Sequence, residues 1–169
     1  MRCALAGILL SLAASASPVG AAELRPFTAD SLAEIKAQYA GRPFILSLWS
    51  VNWCGHCITE LTMLGKLAAE LSARGTLAKA QKNLPLVLVS TDTPESAPAL
   101  QNTLKRLGLA RMDSWVFDDD IPERARHAID PGWHGELPRT YLYDAQHQRE
   151  AVTGILSEKK LKVWLQKNQ

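Results

Sequence analysis

Two cysteines, Cys54 and Cys57, are the residues of this sequence whose type and spacing most directly suggest chemistry. A separation of three residues puts both on one face of a helix, where the two thiols can close a small disulfide ring. An apolar run at residues 44–49 leads to the pair, and apolar side chains recur at helical steps across residues 61–71. The pair is therefore predicted to lie where a buried strand passes into a helix.

The start of a helix favours a thiolate, because its first turn carries unpaired N–H groups and a partial positive charge. Cys54, the first of the pair, is expected to be the more acidic cysteine. Cysteine pairs at helix starts have pKa values of roughly 3.5 to 7.5, against ~8.5 for a free cysteine. A protonated His56 between them would lower the pKa of Cys54 further. These features predict a redox-active pair.

Three other interpretations of the cysteines are open. A structural zinc site needs four ligands, but no cysteine follows Cys57 and the later histidines are not paired at ligand spacing. A purely structural disulfide would close a two-residue loop, which removes little chain entropy. Two inert buried cysteines are disfavoured by Gly55 and His56 beside them, since neither is a good core residue.

Composition predicts a single ordinary globular domain. The chain has 169 residues, of which 47% are hydrophobic and 21% are charged, and its formal net charge is +2. No cluster of basic residues stands out beyond Lys159 and Lys160, which fit a solvated helix face. We therefore expect no nucleic-acid partner.

Residues 1–22 have the features of a secretory signal peptide, with a positive start at Arg2, an apolar stretch, and small residues before Glu23. The apolar stretch is shorter than the ~20 residues that span a bilayer, so an uncleaved membrane anchor is the alternative. Cleavage would remove Cys3 and leave a domain at residues 23–169 with no stable membrane span. Its two cysteines would then lie in a compartment where disulfides persist.

The rest of the chain predicts strands and helices around the cysteine unit. We expect helices beginning at Ser31, Thr93, Asp120 and Ser157, and strands at residues 84–90, 115–117, 137–144 and 149–155. The strands at 44–49 and 84–90 should be parallel because a helix connects them, and the last two strands form a hairpin. The acidic run at residues 118–120 could suggest a metal site, but a turn with a helix cap, placed at Asp120, is the interpretation we favour.

The order of these elements resembles the thioredoxin superfamily over nearly the whole of residues 23–169. The motifs that carry the resemblance are Trp53 with the Cys-X-X-Cys pair at a strand-to-helix junction, and Leu137 with Pro138 before a hairpin and a last helix. An additional helix before that hairpin resembles the TlpA/ResA-like branch of bacterial periplasmic thiol-disulfide oxidoreductases. The resemblance implies an α/β, thioredoxin-like fold with a central mixed β-sheet flanked by helices.

The resemblance also implies an exported, periplasmic enzyme that exchanges disulfides with partner proteins, most simply as a protein disulfide reductase. Cys54 would attack the partner and Cys57 would resolve the mixed disulfide. No organic cofactor or metal is implied, because the cysteine pair holds the redox equivalents. The partners would be proteins bearing thiols or disulfides, together with an upstream redox partner. The alternatives are a thioredoxin-like copper chaperone, which usually spaces its cysteines by three residues, and a peroxidase of related fold.

A substrate-docking surface follows from the same resemblance. It would consist of Trp53, Leu137 and Pro138, with Gly55 and His56 tuning the cysteines. Gly-His is the pair found in protein disulfide isomerase. The family proline is cis and lies against the disulfide, whereas the residues alone also allow a trans proline that marks a strand edge.

Glu60 matches a glutamate that the TlpA/ResA-like branch carries three residues after its second cysteine, here Cys57. The resemblance makes it a candidate catalytic proton acceptor, and a solvated glutamate on the helix surface is the alternative. The sequence departs from the family in two relevant ways. Ser47 stands where thioredoxin has a buried aspartate, and the segment from Trp49 to Cys54 is one residue longer than usual.

Overall fold

A six-stranded mixed sheet is the centre of the computed structural model, which describes residues 23–74 and 84–168. The strands are β1 (Arg25–Phe27), β2 (Phe44–Trp49), β3 (Leu86–Ser90), β4 (Asp113–Phe117), β5 (Arg139–Tyr143) and β6 (Arg149–Thr153). Their order across the sheet is β1-β4-β3-β2-β5-β6. The first four of these are mutually parallel, whereas β5 and β6 are antiparallel to their neighbours and form the predicted hairpin.

Helices cover both faces of the sheet. They are α1 (Ser31–Gln38), α2 (Gly55–Arg74), α3 (Ala97–Arg106), α4 (Pro122–Ile129) and α5 (Glu158–Lys167). The apolar sides of α2, α3 and α5 pack on one face, and those of α1 and α4 pack on the other. Because each helix buries one apolar stripe against the sheet, two separate cores form with the sheet between them.

Strand β2, which leads to the cysteines, is buried on both faces. Ile45 joins the core under α2, while Phe44 and Leu46 point into the opposite core, and all six residues of the strand are at most 1% exposed. A continuous apolar run is what a central parallel strand requires, and this prediction is confirmed. The carboxyl end of β2 is therefore a rigid point from which the chain enters the cysteine motif.

Helix starts are the least accurate of the predictions. Ser157 accepts a hydrogen bond from the N–H of Lys160 at 3.3 Å and caps α5, as the sequence indicates. The cap placed at Asp120 is wrong, because α4 begins at Pro122 and Asp119 is the residue that accepts the N–H of Ile121, at 3.0 Å. The acidic run there forms a turn.

Strand β1 has only three residues and shows no sequence period, so the sequence does not predict it. It extends the sheet by pairing in parallel with β4. The predicted signal peptide at residues 1–22 lies outside the described residues. Across the described ranges, no helix is both long enough and apolar enough to cross a bilayer.

Candidate active site

Cys54 and Cys57 form a disulfide at the amino terminus of α2, the 20-residue helix. Their Cα atoms are 5.3 Å apart. Cys54 directly precedes the helix and is half-buried, whereas Cys57 lies one turn inside and is fully buried. Cys54 is therefore the more accessible residue of the pair.

The sulfur of Cys54 accepts a hydrogen bond from the backbone N–H of Cys57, at 3.2 Å. This N–H belongs to the first helical turn and is shared with the carbonyl of Cys54, which accepts it at 3.2 Å. A donor at a helix amino terminus stabilises negative charge, so the same contact would favour a Cys54 thiolate once the disulfide is reduced. The geometry thus suits Cys54 to nucleophilic attack and Cys57 to a later, internal step.

The residues that the sequence analysis assigns to docking differ in exposure. Trp53 is 59% exposed, and Gly55 and His56 are also exposed. Leu137 is half-buried, Pro138 is buried, and the peptide bond between them is cis. A large apolar ring left in solvent beside a reactive sulfur is a plausible contact point for another protein.

Pro138 is tied to the segment that follows β6. Its carbonyl accepts the N–H of Gly154 at 2.9 Å, and Ile155, the next residue, is 46% exposed. The hairpin of β5 and β6 therefore holds the Leu137–Pro138 turn in place from one side.

Glu60 is buried beneath the cysteine pair, with 1% of its surface exposed. Its Oε1 accepts hydrogen bonds from Thr140 Oγ1 at 2.8 Å and from Ser47 Oγ at 3.1 Å, and its Oε2 accepts the N–H of Leu156 at 2.7 Å. The alternative of a solvated surface glutamate is wrong. Three donors from three different segments converge on this one carboxylate.

The contact of Ser47 with Glu60 explains how this chain differs from thioredoxin at that strand position. The thioredoxin aspartate at this strand position is absent, and the serine hydroxyl instead donates to a carboxylate supplied by α2. The buried acid is thus retained and comes from the helix that carries Cys57. A hydrogen bond to a charged group contributes about 1.5–3 kcal/mol, so this cluster also stabilises the junction of α2 with the sheet.

Sequence reasoning missed a second buried acid, Asp92, which follows β3 and is 4% exposed. Its Oδ1 accepts hydrogen bonds from Ser50 Oγ at 2.6 Å and Asn52 Nδ2 at 3.0 Å. Its Oδ2 accepts the N–H of Val51 and the hydroxyl of Ser90, both at 2.8 Å. The available signal was an acid two residues after a buried strand, beside the strand that leads to the cysteines.

A third acid, Asp130, fixes the loop that precedes Leu137. Its carboxylate accepts hydrogen bonds from Arg149 and Tyr141 at 2.9 Å and from Arg139 and the N–H of Gly132 at 3.1 Å. Burial acts to raise the pKa of Asp130, but the Gly132 N–H, the Tyr141 hydroxyl and the two guanidinium groups outweigh it and lower that pKa. Asp130 therefore attaches the loop of residues 130–136 to strands β5 and β6.

The part of the chain that the structure describes contains no set of side chains that could coordinate a metal ion. Among residues 23–74 and 84–168, no three histidine, cysteine, aspartate or glutamate side chains come together in a group that could hold an ion. The acidic run at residues 118–120 and the later histidines are among these residues.

Comparison with known proteins identifies the fold. No family model and no curated protein sequence matches the chain. Solved structures match, among them a secreted Mycobacterium tuberculosis disulfide oxidoreductase homologous to E. coli DsbE, with a TM-score of 0.54 and 19% identity over 78% of this chain and 85% of that one. A thioredoxin-family thiol:disulfide interchange protein from Chlorobium tepidum has a TM-score of 0.56 and 20% identity over 79% and 83% of the two chains.

A secreted thiol-disulfide isomerase from Corynebacterium glutamicum is similar as well. Its TM-score is 0.55, with 22% identity over 74% of this chain and 69% of that one. At such identities the likeness establishes the fold. The predicted α/β fold with a mixed central sheet is confirmed as thioredoxin-like.

Proposed function

We propose that this thioredoxin-fold chain is a thiol-disulfide oxidoreductase that exchanges disulfides with partner proteins through Cys54 and Cys57. The observation that carries the proposal is the half-buried Cys54 at the start of α2, whose sulfur is bonded to Cys57 and accepts an N–H there. A structural disulfide over so short a loop would add little stability, whereas an exchangeable one needs this placement. The structural neighbours, described as a disulfide oxidoreductase, a thiol:disulfide interchange protein and a thiol-disulfide isomerase, support the same interpretation.

In the reductive direction, the Cys54 thiolate attacks one sulfur of a partner disulfide. A bond forms between Cys54 and that sulfur, the partner S–S bond breaks, and the other partner sulfur leaves as a thiolate and takes up a proton. Cys57, as a thiolate, then attacks the sulfur of Cys54. The Cys54–Cys57 disulfide forms, the bound partner sulfur leaves as a thiol, and two electrons have passed to the partner. An upstream dithiol donor must then reduce the pair again.

Glu60 is assigned to the second step as the acceptor of the Cys57 proton. Cys57 is fully buried, so water has poor access to its thiol. Glu60 lies one helical turn further along α2 and is the buried base on the same helix. The accepted proton would pass to the partner sulfur that leaves. Ser47 and Thr140 hold the carboxylate in position for this transfer.

Trp53, Leu137 and Pro138 are assigned to substrate docking, as an extended peptide beside Cys54 would meet them first. Such a peptide can pair with the backbone next to Leu137 in the manner of an added strand. A side chain at Gly55 would meet no neighbouring atom within 4 Å, so packing does not require glycine there. Gly55 instead leaves the approach to Cys54 open, and His56 can add positive charge beside it.

Export from the cytoplasm is proposed on the signal-like pattern of residues 1–22, and two of the structural neighbours are described as secreted. Amino-terminal sequencing of the protein recovered from an exporting host tests this proposal. We expect a mature start near Glu23. Recovery of intact Met1 in the membrane fraction would favour an uncleaved anchor.

Turnover of a model protein disulfide tests the activity. The mature protein should accelerate the reduction of insulin disulfides by dithiothreitol, and Cys54→Ser should abolish the acceleration. Equal rates with and without the wild-type protein would reject the proposal. Titration of the reduced protein with cuprous ion separates the chaperone alternative, because tight stoichiometric binding together with inactivity on disulfides would favour metal carriage.

A further inference from the structure

We propose that Asp92 is a positioning residue for Cys54, because it anchors the loop of residues 50–53 that delivers the chain from β2 to the cysteine pair. The inference rests on the proposed oxidoreductase function and concerns the same site. Asp92 is assigned no contact with Cys54 or with the partner. It acts through the loop, whose backbone and side chains are bound to its carboxylate.

Ser50 is the link between the carboxylate and the loop. Its hydroxyl donates to Asp92 Oδ1 at 2.6 Å, and its oxygen accepts the N–H groups of Asn52 at 3.1 Å and Trp53 at 3.3 Å. Two backbone N–H groups of the loop therefore donate to one hydroxyl oxygen, and Asp92 orients that hydroxyl by accepting its proton in a hydrogen bond. Ser50 is fully buried, so water does not compete for these bonds.

Two further contacts hold the same loop. The N–H of Val51 donates to Asp92 Oδ2 at 2.8 Å. The Asn52 amide donates to Asp92 Oδ1 and to Ser96 Oγ, both at 3.0 Å. Three successive loop residues thus donate to a single carboxylate. Without that carboxylate, each of the three residues would be free to adopt more conformations.

Asp92 itself is fixed to β3 by a different set of bonds. Ser90 Oγ donates to its Oδ2 at 2.8 Å and accepts its backbone N–H at 3.0 Å. The N–H of the intervening Thr91 donates to the carbonyl of Trp49 at 2.9 Å. The anchor is thereby attached to the rigid end of the sheet on one side and to the loop on the other.

The length of this loop explains why an anchor is needed. The segment from Trp49 to Cys54 carries one residue more than the thioredoxin pattern, and an added residue would let Cys54 move relative to the first turn of α2. The N–H of Cys57 lies 3.2 Å from the Cys54 sulfur, and displacement of that sulfur would weaken the contact. A reacting atom displaced by about 1 Å can lose about a hundredfold in rate, so anchoring the loop preserves reactivity.

A matched pair of variants tests the inference. Ser50 and Ser90 are both fully buried serines, and both donate to Asp92. Ser50 also accepts N–H groups from the loop, whereas Ser90 accepts only the N–H of Asp92. The measurement is the rate at which the reduced protein is oxidised by glutathione disulfide, at a pH above which the rate no longer rises. At that plateau Cys54 is fully ionised, so a change in rate reports its position.

Ser50→Ala should slow this oxidation about tenfold, a loss of the size expected from partial misplacement of the nucleophile. Ser90→Ala should slow it by less than about threefold, because Asp92 keeps its bonds to Ser50, Val51 and Asn52, although both variants should lose comparable stability in urea. Equal loss of rate in the two variants, or no loss in Ser50→Ala, would overturn the inference. A wild-type protein inert to glutathione disulfide would instead reject the proposed function.

Asn52→Ala and Asp92→Asn complete the test if Ser50→Ala fails to fold. Asn52 is exposed, so its replacement creates no cavity, and loss of its bond to Asp92 should slow oxidation about threefold. Asp92→Asn removes a negative charge, which taken alone would favour the thiolate and would not slow its reaction. Positioning predicts a slower plateau rate for both variants. An unchanged rate in Asn52→Ala, or a faster one in Asp92→Asn, would contradict it.

Discussion

The hydroxyl of Thr140 donates to Glu60 across 2.8 Å and joins the strand that follows Pro138 to the helix that carries Cys57. The N–H of Leu156 reaches the same carboxylate from the segment after the hairpin, at 2.7 Å. One buried acid therefore connects the helix that carries Cys57 with the strand that follows Pro138. A movement on either side would disturb the hydrogen bonds of the other, because the carboxylate is shared.

Glu60→Gln should lengthen the lifetime of a mixed disulfide, because the amide cannot accept the Cys57 proton. Its NH₂ group would also face a hydroxyl or an N–H donor, and the mismatch should lower the free energy of unfolding by about 1–3 kcal/mol. Glu70→Gln, at an exposed glutamate further along α2, is the control and should change neither quantity. Resolution as fast as in the wild type would remove Glu60 from the mechanism.

His56→Pro should make the pair more reducing and raise the pKa of Cys54, since it removes an imidazole that stabilises the thiolate when it is protonated. Thioredoxin and protein disulfide isomerase differ by roughly 90 mV, about 4 kcal/mol for two electrons. His56 is exposed and partly screened by salt, so we expect it to supply about a third of this difference. Equilibration with glutathione measures the potential.

The wild-type potential should lie above that of thioredoxin, about −270 mV. His127→Ala, at an exposed histidine in α4, is the control and should leave the potential unchanged. A wild type as reducing as thioredoxin, or no change in His56→Pro, would show that His56 does not tune the pair.

Trp53→Ala should weaken docking of protein substrates more than it affects the cysteine chemistry. Trp53 is 59% exposed, and removing an aromatic contact surface should raise the KM for insulin about tenfold, or about 1.4 kcal/mol. The rate with glutathione disulfide, which is too small to cover the ring, should stay within about twofold of the wild type. Equal losses with both substrates would indicate a general disturbance of the loop.

Most of the sheet could be predicted because its inner strands are short apolar runs, whereas the mostly exposed β6 is predictable only from the turn that joins it to β5. Strand β2 follows from periodicity alone, and α5 follows from its serine cap and its apolar stripe. Strand β1 could not be predicted, since three residues carry no period and are paired only through β4. The sequence places a cap at Asp120, whereas the residue before α4 is Ile121 and no side chain caps the helix, because the aspartates serve the preceding turn.

The cysteine pair is local in sequence, and this is why its location could be inferred from the residues alone. The acids behind it are not local. Glu60 is 80 residues from Thr140 and 96 from Leu156, and the bonds of Asp92 to the loop span about 40 residues. Their partners are serines, threonines and backbone N–H groups, which carry no pattern of their own. Only the folded sheet brings them together.

Asp130→Asn should lower the free energy of unfolding at neutral pH and change it much less at acidic pH. The pKa of Asp130 is lowered in the folded state, so its stabilisation is present above the ordinary value near ~3.9 and is lost as pH falls through the folded value. Loss of its two arginine partners should cost about 2 kcal/mol at pH 7. Urea unfolding at pH 7 and pH 3 measures the difference, which should shrink at the lower pH, and a constant difference would assign the effect to packing.

Trapping of mixed disulfides by single-cysteine variants tests the division of labour between Cys54 and Cys57 most directly. The half-exposed Cys54 should attack partners, and only Cys57 can release them. We predict that Cys57→Ala, incubated with a disulfide-bearing protein and separated without reductant, accumulates a covalent complex that dithiothreitol dissolves, and that Cys54→Ala accumulates none. Equal trapping by the two variants, or trapping by Cys54→Ala alone, would contradict the assignment of Cys54 as the nucleophile.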